Sequence, residues 1–173
     1  MRWRYRVGQF TRRLRARPTG EDLRVARETL PSRAFALFAA MPAGDQLHGL
    51  AVLRLLRGEG HGDGALAQAA LLHDVGKAGA GLTLVHRSLA VILERLAPGL
   101  LRRLARPAAG GWRYPFYAHL YHAEIGARRA EAAGCDPLVV ALIRHHDGPG
   151  AWPDAPAGWQ ECLQALRRAD ERE

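Results

Sequence analysis

The sequence predicts an all-α domain, a compact bundle of roughly 7–9 helices, from three observations. Apolar residues make up 48% of the chain, and Ala and Leu, both strong helix formers, dominate them. They recur at i, i+3 and i+4, with no alternating pattern, internal repeat or low-complexity linker. Proline, glycine and short polar residues punctuate these stretches where helices begin and stop.

The elements follow in order. Thr19 can cap a helix over EDLRVARETL, which Pro31 ends. Ser32 is expected to cap SRAFALFAAM. Asp45 is expected to begin DQLHGLAVLRLLRG, with Leu47, Leu50, Val52, Leu53 and Leu56 at helical spacing. GEGHGDG is a loop, and Asp63 starts GALAQAALLHDVG, expected to run until Gly76. Residues 82–106 read as one or two amphipathic helices parted near Pro98 and Gly99. A loop over 108–112 leads to a long helix from about Pro115 to Gly134. Asp136 and Pro137 form a cap and first helical position for DPLVVALIRHH. After the turn-rich DGPGAWPDAPAG comes the last helix, GWQECLQALRRADE.

At 173 residues the chain is one domain, long enough to bury a core without staples. Residues 1–18 read as a basic arm with Trp3, Tyr5 and Phe10 among arginines, and 19–173 as the folded domain. The arm could contact nucleic acid or an anionic membrane surface, or be a solvated tail. The net charge of +8 suits phosphate-bearing partners and equally fits an arginine-heavy coding bias. Cys135 and Cys162 form no CxxC pair and read as ordinary thiols in a reducing compartment. The TRRLR string lacks a following apolar region, and the longest apolar stretch is interrupted by charges. A cytoplasmic location is therefore expected.

The chemistry lies in a series of imidazoles and carboxylates on apolar helices: His48, His73, Asp74, His122, His145, His146 and Asp170. Such groups are expensive to bury unless paired or metal-bound, so their concentration calls for partners. Gly126, four residues after His122, is expected to leave room for a metal or ligand. Adjacent helical residues point about 100° apart, so His145 and His146 both face one site only if the helix ends there. His61, His86 and His119 read as loop, packing or surface residues, with His119 a substitute for His122 if the helix phase differs. Asp147 reads as a supporting or loop residue, and Asp45 as a cap.

The order H…HD…H…HH…D resembles the HD superfamily of metal-dependent phosphohydrolases, over a ligand-bearing core of 45–170. LLHDVGK carries the strongest likeness. HAEIGA at 122–127 looks like the HPxxG element of the HD-GYP branch, with alanine for proline. RHHD looks like that branch's HHE element, with Asp147 for glutamate, and RRADE places Asp170 at the final metal aspartate. The compact ending is also similar to the diadenosine tetraphosphatase branch. The resemblance implies one ion on His48, His73, Asp74 and Asp170, and a second on His122, His145 and His146, with Asp74 bridging.

Mixed imidazole and carboxylate ligands suit divalent transition metals: Fe or Mn first, with Zn, Co, Ni or Mg as alternatives. Two ions would activate a bridging water as hydroxide and clamp a phosphoryl oxygen. Asp74 and Lys77, the sole lysine, are the catalytic candidates, Lys77 offsetting charge at phosphorus. The expected activity is hydrolysis of a phosphoester, as a phosphomonoesterase or phosphodiesterase, with a small phosphorylated substrate such as a nucleotide. Two alternatives stand beside it: a di-iron oxygenase on the same scaffold, and a non-catalytic binding module. Oligomeric state and substrate identity are not legible in the sequence.

Overall fold

The computed structural model describes residues 16–62, 64–108, 110–148 and 152–173. Among them the chain forms nine α-helices and no strand: α1 Gly20–Thr29, α2 Ser32–Ala39, α3 Ala43–Gly58, α4 Gly64–Leu72, α5 Leu84–Leu96, α6 Pro98–Leu104, α7 Tyr114–Ala132, α8 Pro137–His145 and α9 Trp159–Asp170. A short 3₁₀ turn, Val75–Lys77, follows α4. The fold is all-α, as expected. The readings made for residues 1–15 and for Asp63 lie outside the described residues.

Local chemistry sets several boundaries. Thr19 and Asp22 form a reciprocal cap: Thr19 Oγ1 accepts from the Asp22 amide at 3.2 Å, and Asp22 Oδ2 accepts from the Thr19 amide at 2.8 Å. Asp136 Oδ1 accepts from the Leu138 amide at 2.8 Å, with Pro137 opening α8. Two expected caps are corrected. Ser32 is the first residue of α2 and Asp45 the third of α3; Pro31 and Pro42 precede those helices. Their rings hold φ at −56° and −55°, which suits a helix start without a side-chain cap.

Helix α4 lies at the centre, packed against α1, α2, α3, α8 and α9. Its sequence GALAQAALL is apolar nearly all round, so burial on several sides is the stable arrangement. Leu71 and Leu72 are fully buried there, each worth about 1.5–3 kcal/mol of transfer free energy. The main core joins them to Phe38, Leu50, Leu53, Leu142 and Ile143. A smaller core of Ala90, Leu101 and Phe116 holds α5 and α6 to α7. No helix among the described residues is long and apolar enough to cross a membrane. Cys135 and Cys162 are free and partly buried.

Three glycines let ligand-bearing segments meet. A Cβ on Gly49 would lie 3.0 Å from the Ala70 carbonyl oxygen, so α3 and α4 cross closely beside His48. A Cβ on Gly76 would lie 1.9 Å from the His122 carbonyl oxygen, an impossible overlap. A Cβ on Gly126 would meet Ile143 Cγ2 at 3.1 Å and the Gly76 amide nitrogen at 3.2 Å. Two expectations change here. Gly76 does not end α4, which stops at Leu72; it sits within the 3₁₀ turn and admits α7. Gly126 makes room for that turn and α8, not for a metal.

Candidate metal centre

His73 and Asp74 occupy the turn between α4 and the 3₁₀ segment, where the chain leaves the helix and can aim two successive side chains inward. His48 comes from α3, Asp170 from the last position of α9 and His146 from just past α8. His122 comes from α7, one residue after a kink at Tyr121 (φ −120°, ψ 15°).

The three buried imidazoles share one arrangement. Nδ1 of His73 lies 3.0 Å from the Ala70 carbonyl, Nδ1 of His122 2.8 Å from the His119 carbonyl, and Nδ1 of His146 2.7 Å from the Ile143 carbonyl. A carbonyl can only accept, so each Nδ1 carries the proton and donates it. In the neutral rings Nε2 is then a bare lone pair, the form that binds a metal.

Those Nε2 atoms converge on Asp74. Its Oδ1 lies 3.5 Å from His122 Nε2, 3.8 Å from His73 Nε2 and 3.9 Å from His146 Nε2. Two groups able to hold a metal ion share this carboxylate: His48, His73 and Asp74, and Asp74, His122 and His146, with ligand atoms within 4.8 Å of one another in each. Asp170 Oδ1 lies beside the first group, 2.7 Å from His48 Nε2 and 3.4 Å from His73 Nε2. Among the described residues, the buried His73 Nε2 has no hydrogen-bond partner. A buried imidazole nitrogen without a hydrogen-bond partner, facing two carboxylates, fits the ligand of a cation.

The electrostatics agree. Burial works against ionising Asp74, but His73, Lys77 and His122 outweigh it and hold its carboxyl well below the ordinary range. Burial likewise opposes the charge on Asp170, and contacts with His48 and His73 override it. Both are anions at neutral pH. Burial also opposes charge on His73, yet Asp74 and Asp170 keep its pKa above the usual imidazole value, so this position favours a cation. Burial and then Lys77 push His122 down, while burial and the neighbouring His73 and His122 push His146 down to about 3.

The cluster therefore brings together His48, His73, Asp74, His122, His146 and Asp170. It does not bring in His145. That ring stacks on Trp152 with centroids 4.3 Å apart, because α8 keeps its helical path through His145 and points adjacent side chains apart. Lys77 reaches Asp74, with Nζ 2.6 Å from Oδ1. His119 does not replace His122; its ring turns to Glu94 at 3.4 Å. His86 packs on Phe116, and His61 is exposed. Asp147 approaches His122 Nε2 at 3.6 Å from the exposed side.

A cavity of roughly 350 Å³ opens onto the cluster, and Lys77, Glu94, Asp147, Arg167 and Glu171 line it beside the ligands. Glu94 had no motif to mark it; Arg167 and Glu171 lie in the RRADE string without a role read for them, although Arg167 precedes Asp170 by one helical turn and so shares its face. Arg167 donates from Nε to the His146 carbonyl at 3.1 Å and from Nη2 to the His145 carbonyl at 2.6 Å. Arg129 Nη1 donates to the carbonyls of Val75 at 2.7 Å and Ala78 at 3.0 Å.

In comparisons with known proteins, no family model matches the chain, and no curated protein and no solved structure shows significant similarity to it.

Proposed function

We propose that the chain is an HD-type metal-dependent phosphohydrolase acting on a phosphoester of a nucleotide or related small molecule. One observation carries most of the weight: three buried imidazoles, each tied by Nδ1 to a backbone carbonyl, turn their Nε2 atoms toward a single shared carboxylate. The orphaned His73 Nε2 and the mixed nitrogen and oxygen donors fit divalent transition ions, iron or manganese foremost.

His48, His73, Asp74 and Asp170 would hold one ion; His122, His146 and Asp74 would hold the other. Such ions supply Lewis acidity, which activates water at neutral pH and offsets phosphoryl charge. The chain's own residues do the rest. The backbone carbonyls keep each imidazole in one tautomer and orientation. Asp74 stays ionised between the two groups. The Lys77 ammonium stands at the cavity wall, close enough to Asp74 to leave it for a phosphoryl oxygen as charge develops there. A cavity of this size suits a small ligand better than a polymer.

The test is metal content of the purified protein beside Asp74→Ala, followed by a panel of nucleotides, phosphomonoesters and phosphodiesters with Mn or Fe. About two ions per chain, lost in the variant, together with phosphate release or diester cleavage, is the expected result. Absence of metal after reconstitution overturns the proposal. Oxygen consumption with iron and no hydrolysis with manganese would replace it by the oxygenase reading.

A further inference from the structure

His146 lies beyond the last residue of α8, so its ring is only as well placed as that helix end. The ring leans on the Ile143 carbonyl, within the last turn. Carbonyls of a final turn lack intrahelical donors, and a cation placed there both satisfies them and favours the helix dipole. Arg167 does this from α9 with two donors on two successive carbonyls, His146 and His145. Asp170 follows on the same face of α9. One helix face thus supplies a carboxylate to the first group and grips the main chain behind the second. Arg129 repeats the device seven residues after His122, holding the turn that bears Asp74 through Val75 and Ala78.

We propose that Arg167 and Arg129 are positioning residues of the metal centre, acting through backbone carbonyls and not as ligands. Arg167 sets the group of Asp74, His122 and His146; Arg129 sets Asp74, and through it both groups. The inference rests on the metal-centre reading. It gives the two arginines different signatures. Loosening His146 disturbs one ion, whereas loosening the shared carboxylate disturbs two. A planar guanidinium offers several donors in a fixed fork, so lysine replaces it only in part.

The experiment titrates the metal-free full chain with Mn²⁺ and separately with Co²⁺, reading stoichiometry and dissociation constants by calorimetry and the cobalt visible spectrum. Arg167→Met, Arg167→Lys and Arg129→Met are compared with the unmodified chain, with folding checked by circular dichroism. Arg167→Met is expected to keep one ion at unchanged affinity and to weaken the second by about 10–100-fold. Arg167→Lys should fall between, and Arg129→Met should weaken both. Should Arg167→Met fail to fold, Arg167→Lys decides: a second ion bound at unmodified affinity overturns the inference. If the unmodified chain binds two ions and Arg167→Met binds both unchanged, or loses both equally, the inference alone falls. If the unmodified chain binds none, the metal-centre reading falls and takes the inference with it.

Discussion

His122 and His146 face each other through their Nε2 atoms at 3.2 Å, while a backbone carbonyl holds the proton of each ring on Nδ1. Two bare lone pairs at that distance repel, and both rings are buried, so water offers little relief. A cation between the imidazoles and Asp74 would convert the repulsion into two bonds. Mn²⁺ or Fe²⁺ should therefore raise the unfolding temperature of metal-free protein with the logarithm of ligand excess, the stability gain reaching about 2.7 kcal/mol at one hundred times the dissociation constant. A thermal scan across metal concentrations checks this. An unfolding temperature indifferent to every divalent ion would count against any site there.

The acid limb of metal-free stability should report His146. Its folded pKa, about 3, lies below the ordinary imidazole value, so between the two the unfolded chain takes up a proton that the folded chain refuses. Stability from this group is fully present above pH ~6.5 and is lost as pH falls toward 3, at up to roughly 1.4 kcal/mol per pH unit. His73 has the opposite sign: its raised pKa adds stability below pH ~6.5 that disappears as pH rises through the folded value. Denaturant melts of metal-free His146→Gln from pH 4 to 7 should show a shallower acid decline than the unmodified chain. Parallel profiles would contradict the assignment.

His145 and His146 should separate cleanly by mutation. His145→Ala removes a ring stacked on Trp152 and is expected to leave both ions bound, with a stability loss of about 0.5–1.5 kcal/mol. His146→Ala should lose the second ion. Metal analysis of the two variants side by side decides between this assignment and a shared ligand role.

Gly76 should tolerate no side chain. An alanine Cβ would overlap the His122 carbonyl oxygen, and the obstacle is backbone on a packed helix, so the turn or α7 must move. Gly76→Ala should cost upwards of about 3 kcal/mol and abolish metal binding. Gly126→Ala meets its neighbours at 3.1–3.3 Å and should cost less, about 1–2 kcal/mol, with metal retained. Chemical denaturation with metal titration distinguishes the two.

Lys77→Met should keep the ions and lower kcat. The ammonium neutralises Asp74 but is not a ligand; removing it leaves the carboxylate freer for a cation while taking a positive charge from the cavity. A fall of about 10²–10³ in kcat with unchanged metal content is expected. Loss of metal instead would make Lys77 structural.

Much was legible from the chain alone. The all-α class followed from apolar spacing in stretches such as DQLHGLAVLRLLRG, while the nearly all-round apolar surface of GALAQAALL explains why it became the central helix. Thr19, Asp136 and Pro137 marked helix ends because capping is local chemistry that three or four residues decide. The order of His48, His73, Asp74, His122, His145, His146 and Asp170 marks the cluster in the sequence, and six of these seven meet in the structure, His145 turning away to Trp152. Only tertiary structure decided the rest, since it depends on which surfaces touch. That Gly76 and Gly126 serve helix contact, that His145 turns to Trp152 while His146 turns to Asp74, and that Arg129 and Arg167 grip carbonyls from other helices are all contacts between residues 17 to 54 positions apart or facing choices at a helix end. Periodicity ranks the faces of one helix; it carries no information about which neighbour fills the space opposite.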